Sequence, residues 1–235
     1  MDSHHFDIVR LAWSRELGLP DDALSADPAG GNRVTRADES ADSIQFLRLG
    51  SASALVGPGW AVERADPCTD EELREPAAWL ALTQDRSGRC AGPVVLAYGT
   101  EYREASTQPL VAHDLEQVRS LESLCPPDDV AEANLGGRAR WFTSLDDAHE
   151  PLSAAGYSEF QGFLADLGVL TAPAVRRRGF GAAIAGIATD DALDSGLIAQ
   201  WRSPRDNRAS RALSRHIGYR ELGTHITVAL SRTSL

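Results

Sequence analysis

Apolar residues recur at helical spacing in the first stretch of the chain. "HFDIVRLAWSRELG" places Phe6, Val9, Trp13 and Leu17 on one face, and Gly18 and Pro20 close it. A Gly- and Asp-rich turn, "SADPAGGN", leads into "SIQFLRLG" and "ASALVGPGW", where Ile44, Phe46 and Leu49 stand among polar neighbours. These are two predicted strands. "TDEELREPAAWLALT" is a predicted helix with Thr69 as its N-cap and acids in its first turn, where the helix dipole favours them. "PVVLAYGTEY" reads as a strand, and "AHDLEQVRSLESLC" as a helix with Leu115, Val118 and Leu121 on one face. "CPPDDVAEANLGG" breaks the pattern, so Pro126-Pro127 and Gly136-Gly137 mark a boundary between residues 1–136 and 137–235.

Beyond that boundary the alternation is cleaner. "RWFTSL" and "PLSAAGYSEF" read as antiparallel strands, and "GFLADLGVLTA" as a third with Leu164, Leu167, Val169 and Leu170. A helix follows from about Gly181 with Ile184, Ile187 and Ala188 inward. Then come a strand, "GLIAQWR", a short helix from about Arg208, and a strand pair in "YRELGTHITVAL". Strands alternating with helices predict an α/β or α+β fold with a largely covered sheet, preceded by an extended N-terminal half.

Composition narrows the class. With 235 residues, 43% hydrophobic and 24% charged, the chain is expected to bury a substantial core as one large domain. No apolar run approaches the ~20 residues that cross a bilayer. "MDSHHFDIVRLAWSRELG" has acids and histidines where a signal peptide carries a basic and then an apolar segment, which places the chain in the cytoplasm. Cys68, Cys90 and Cys125 are far apart and match no zinc spacing, so reduced thiols and no metal are expected. The formal charge is -11, with arginine and no lysine as the basic residue. Such a field repels nucleic acid and anionic membranes and attracts cationic small molecules.

Against that background stands "TAPAVRRRGFGAAIAG", residues 171–186. Two readings are open: a solvated basic patch, or a seat for a phosphorylated cofactor. A helix that starts in a glycine-rich turn presents unpaired amides and the positive end of its dipole to phosphate. Adjacent arginines add charge-assisted hydrogen bonds. A P-loop is excluded because its lysine is missing, and a dinucleotide fingerprint because Ile184 occupies the position of its third glycine. What remains is Arg-x-x-Gly-x-Gly across Arg176, Gly179 and Gly181.

That loop resembles the Gln/Arg-x-x-Gly-x-Gly/Ala signature with which GNAT acetyltransferases bind the pyrophosphate of acetyl-CoA. "DNRASRALSRHIGY" is similar to the stretch that follows the next strand in that family, through Asn207, Ser210, Leu213, Gly218 and Tyr219. "GVLTAP" resembles the family's Val-x-Pro strand end. The resemblance covers residues 139–230 well and the earlier part poorly. It implies a mixed, mostly antiparallel central sheet flanked by helices, with the N-terminal half shaping an acceptor pocket or a dimer contact. It further implies that the backbone of Val169, Leu170 and Thr171 bonds the pantetheine arm like an added strand. Amides of Arg177, Arg178, Gly179, Phe180, Gly181 and Ala182 would hold the pyrophosphate, with Arg176 beside them. Asn207 and Ser210 would meet the pantetheine or adenosine side, although Asn207 suits a helix N-cap equally well.

Acetyl transfer to an amine has two proton movements, because an alkylammonium of pKa near ~10 must lose a proton and the departing thiolate gains one. The family's usual acid, a tyrosine seven residues after the asparagine, is Ser214 here. Tyr219, His216 or a water relayed through Ser214 are the substitutes. Asp166 and Glu159 are the candidate bases, Asp166 because an apolar cleft would raise its proton affinity. The acceptor expected from the acidic balance is a cationic primary amine on a small molecule or peptide. An acyl-CoA-binding module without catalysis is the second class, motivated by Ser214.

Overall fold

The computed structural model describes residues 1–25, 33–102 and 109–230. In chain order its elements are α1 (Ser3–Glu16), β1 (Val34–Ala37), β2 (Ser43–Leu49), β3 (Ala52–Gly57), α2 (Gly59–Ala65), α3 (Asp70–Leu73), α4 (Pro76–Leu82), β4 (Arg89–Cys90) and β5 (Val94–Gly99). There follow β6 (Leu110–Ala112), α5 (Leu115–Ser123), α6 (Pro127–Ala133), β7 (Arg140–Leu145), β8 (Pro151–Phe160) and β9 (Leu164–Thr171). The last are α7 (Phe180–Asp194), β10 (Ile198–Pro204), α8 (Arg208–His216) and β11 (Arg220–Ala229). The fold is mixed α/β, with mostly antiparallel sheet and flanking helices. No helix among the described residues is long and apolar enough to cross a membrane.

The chain divides into two units. The first holds Ala97–Ser203 and Asn207–Glu221, together with the first few residues. In it β6, β7, β8 and β9 pair in sequence as antiparallel neighbours, and β10 joins β9 in parallel. Strand alternation gives the sheet two buried faces. Ala155, Tyr157, Ala165 and Leu167 face α7, where Ile184, Ala185, Ala188 and Ala192 recur at helical spacing and pack on them. Ala154 and Leu170 point the other way, onto Val118 and Leu121 of α5 and Ala133 of α6. Apolar residues on both faces are what a covered sheet requires, and β8 and β9 accordingly read as nearly continuous apolar runs.

The second unit holds Phe6–Leu96, Pro204–Asp206 and the chain from Leu222 on. Here β1 runs parallel to β3, β3 pairs antiparallel with β2, and β2 with β11. Its core gathers Ile44, Phe46, Leu55, Trp79, Ile226 and Val228.

The structure corrects several expectations. α5 and α6, which precede residue 137, pack on β8 and β9 within the first unit. "CPPDDVAEANLGG" is not a break but the helix α6: Pro127 occupies its first position, where a missing N–H is harmless, and Asp128 and Asp129 fill its first turn. The expected helix after Thr69 is split into α3 and α4 at Pro76, with Thr69 and Glu72 forming the capping box of α3. "YRELGTHITVAL" forms one strand, β11, because Gly223 continues the pairing with Leu49 of β2 instead of turning. Most of the expected turn at 25–32 lies outside the described residues.

Candidate active site

The parallel register of β9 and β10 runs from Leu164↔Ile198 to Leu167↔Trp201. Beyond it β9 continues to Thr171 and β10 to Pro204, with no pairing between them among the described residues. The two strands therefore part, while β8 stays paired to β9 as far as Thr171. From Gly168 to Thr171 the edge of β9 that faced β10 has no strand on it. An extended ligand with its own amide groups is the natural occupant of such an edge.

A cavity of about 550 Å³ opens at this fork. Its walls are Leu167–Thr171 of β9, Trp201 and Arg202 of β10, the start of α7, one face of α8, and Asp129, Glu132 and Ala133 of α6. Strand and helix meet closely at one point. A Cβ on Gly168 would press into the Ala133 carbonyl, so only glycine lets the end of α6 lie this near to β9.

The loop before α7 ends the cavity. Gly179 is the N-cap at φ +90°, in the left-handed region that favours glycine, and no side chain caps the helix. The first turn carries no acid, and the first amide to bond within the helix is that of Ala183, to Gly179 O at 3.0 Å. The amides of Phe180, Gly181 and Ala182 thus sit at the positive end of a 15-residue helix, bordering the cavity. That is an anion seat in geometry and in charge.

Most of the residues singled out for a phosphorylated cofactor come together here. Val169, Leu170, Thr171, Arg176, Arg177, Gly179, Phe180, Gly181, Ala182, Asn207 and Ser210 all border the cavity. Arg178 does not; its guanidinium lies over the Phe180 ring, 5.4 Å from the centroid. Arg176 is engaged as well, since Nη2 donates to Asp129 Oδ2 at 2.6 Å and Nε to Thr171 O at 3.1 Å, tying the loop to α6 and β9. Asn207 is the N-cap of α8, accepting from Ser210 N at 3.0 Å, and its Nδ2 donates to Glu132 Oε1 at 2.7 Å. Ser210 Oγ accepts from Trp201 Nε1 at 3.0 Å.

The four candidates for proton transfer lie outside the cavity walls. Asp166 does not face an apolar cleft, as expected from its sequence neighbours. Alternation turns it away from Leu167 and Val169, and its carboxylate is held by Arg138 Nη1 at 2.6 Å and Gln200 Nε2 at 3.2 Å. Glu159 is exposed on β8. Ser214 is buried, and its hydroxyl donates to Arg211 O at 3.0 Å. Tyr219 is 3% exposed, packed edge-on against Trp201, with its hydroxyl 2.8 Å from Thr189 Oγ1. Burial pushes that phenol well above the usual tyrosine range, with the bond to Thr189 acting in the other direction. His216, the other substitute considered, does border the cavity.

Tyr219 is therefore a core residue, and Tyr219→Phe tests this. Thr189 Oγ1 keeps its bond to Ala185 O, so the variant is expected to lose about 1 kcal/mol of stability. A folded-state value raised above the unfolded one gives stability that is complete below the unfolded pKa and lost as pH rises through it. Thermal melts should show the wild type losing stability more steeply than the variant from about pH 9 to about pH 11. Equal slopes would return Tyr219 to the candidates.

Glu132, Asp129 and Arg202 also border the cavity, and the sequence pattern does not single them out. Pro126-Pro127 followed by two aspartates is a helix start, and it places Asp129 and Glu132 one turn apart on the face that lines the cavity. Among the described residues no group of three or more His, Cys, Asp or Glu is placed to hold a metal ion. Cys68, Cys90 and Cys125 are free and half-buried.

No family model and no curated protein matches the chain. Solved structures similar to it include a GNAT-family acetyltransferase from Colwellia psychrerythraea, at 18% identity over 65% of this chain and 61% of that one, TM-score 0.48. A GCN5-related N-acetyltransferase from Kribbella flavida is similar at 16% identity over 76% and 68%, TM-score 0.44. A GCN5-related N-acetyltransferase-like protein from Streptococcus suis matches at 15% identity over 83% and 87%, TM-score 0.44. For several similar solved structures the match spans 58% to 66% of their length. Several of the solved structures similar to the chain are described as GNAT-family or GCN5-related acetyltransferases.

Proposed function

We propose that the chain is an N-acetyltransferase that moves an acetyl group from acetyl-CoA to a primary amine by direct attack, with both substrates bound. The observation that carries this reading is the fork of β9 and β10 ending at the open first turn of α7. Acetyl-CoA suits both halves of that site. Its pantetheine arm carries amides that match the edge of β9 from Gly168 to Thr171, which has no strand on it, and its diphosphate matches the amides of Phe180–Ala182.

In this reading the amine nitrogen bonds to the acetyl carbon as the carbon–sulfur bond breaks. One proton leaves the ammonium and one reaches the thiolate. Holding the two reactants in line supplies several kcal/mol of the acceleration. Of the cavity side chains, Glu132 and His216 have the chemistry to move those protons, since Asp129 is neutralised by Arg176. Glu132 on α6 beside the fork favours a cationic acceptor, whether a small molecule or a peptide. The acidic chain and its free thiols are in keeping with a cytoplasmic setting.

The test is to mix the protein, acetyl-CoA and a panel of primary amines with a thiol reagent. CoA release that depends on the amine is expected; binding of acetyl-CoA without release for any amine would favour a second reading. That reading is an acyl-CoA-binding module without catalysis. It draws support from the burial of Ser214 at the family's acid position and of Tyr219 beside it in sequence.

A further inference from the structure

We propose that Arg177 reads the 3′-phosphate of the donor nucleotide, so that the cavity prefers coenzyme A to its 3′-dephospho form. The inference rests on the acetyl-CoA reading above.

Three arginines border the cavity among the described residues: Arg176, Arg177 and Arg202. Arg176 is committed to Asp129 and Thr171 O. Arg202 Nη1 lies 3.9 Å from Asp166 Oδ2. Arg178, the third of the sequential arginines, stacks on Phe180 outside the cavity. Arg177 has no hydrogen bond or ion pair among the described residues. In a chain of formal charge -11, where many arginines are matched to a carboxylate, Arg177 is an exposed cation at the cavity wall with none set against it.

The backbone points the same way. Arg177 sits at φ +61°, in the left-handed region that a long side chain occupies only where its surroundings hold it there. Arg177 and the first residues of α7 border the same cavity, with Gly179 at φ +90° between them. Coenzyme A presents two separate anions, a diphosphate and a phosphomonoester on the ribose. The first suits a row of amides at a helix start, and the second, a compact dianion, suits a guanidinium that forms paired hydrogen bonds.

Calorimetry with coenzyme A and 3′-dephospho-coenzyme A, on the wild type, Arg177→Gln and Arg178→Gln, tests the assignment. The wild type is expected to bind coenzyme A about tenfold more tightly than the dephospho form. Arg177→Gln should erase that preference by weakening coenzyme A alone, and Arg178→Gln should keep it. A wild type that binds both alike, or an Arg177→Gln variant that retains the preference, overturns the proposal and leaves the acetyl-CoA reading standing. If neither nucleotide binds the wild type, the acetyl-CoA reading falls and the proposal with it. The wild-type comparison decides even if a variant fails to fold.

Discussion

Ala182→Glu is expected to weaken coenzyme A binding at least about a hundredfold while leaving thermal stability at or above that of the wild type. Ala182 is the third residue of α7, borders the cavity, and belongs to a first turn with no acid and no capping side chain. A carboxylate there satisfies the dipole from within, which stabilises a helix by about 0.3–1 kcal/mol. The same carboxylate occupies the amides that the diphosphate needs and repels it. Losing charge-assisted hydrogen bonds of about 1.5–3 kcal/mol each accounts for a hundredfold or more. The two effects have opposite signs, which separates this outcome from simple unfolding. Calorimetry and a thermal melt on the same preparation check both. Unchanged affinity would mean that the diphosphate sits elsewhere.

The second large effect is at Gly168. Gly168→Val is expected to lower stability by about 3 kcal/mol, or roughly 6–12 °C in Tm, and to abolish nucleotide binding. A Cβ at this position meets the Ala133 carbonyl oxygen, with Ala133 C at 3.1 Å and Arg138 Nε at 3.4 Å. The nearest atoms are backbone and cannot rotate aside, so the end of α6 must lift from β9. Asp129 and Glu132 move with it, and with them the contacts to Arg176 and Asn207 that join α6 to the α7 loop and to α8. The control is Gly186→Ala in the middle of α7, where a Cβ meets nothing within 4 Å. There the change should stabilise by about 0.5–1 kcal/mol, because alanine loses less freedom in a helix. Equal melting temperatures for the two variants would contradict the packing described for Gly168.

The contrast between Gly179 and Gly168 shows what the sequence could and could not reveal. The turn at Gly179 and the start of α7 are local, since a strand, a glycine pair and an alanine-rich run lie consecutively in the chain. They were legible for that reason. The strands β7, β8 and β9 were legible because their apolar runs are bounded by turn residues. Gly168 gives no local sign of its role, which depends on Ala133, distant in sequence and adjacent only after folding.

The same distinction explains the proton-transfer candidates. Asp166 has apolar neighbours in sequence, which suggested a dry cleft. Arg138 and Gln200, its partners in space, come from other strands and loops. Tyr219 and Ser214 carry suitable chemistry, but the α8 periodicity turns Ser214 inward while Leu213 and His216 face the cavity. In sequence α6 has the look of a break because two consecutive prolines usually end regular structure. At the first position of a helix, followed by aspartates, proline instead begins one. With α6 came Asp129 and Glu132, so one misread start concealed the acidic wall of the cavity.

A crystal structure of the chain grown with coenzyme A tests the central claim most directly. The diphosphate oxygens are expected to accept hydrogen bonds from the amides of Phe180, Gly181 and Ala182, with the pantetheine arm running along β9 from Thr171 toward Gly168. Coenzyme A bound away from the β9–β10 fork, or a fork left empty at saturating nucleotide, would contradict it.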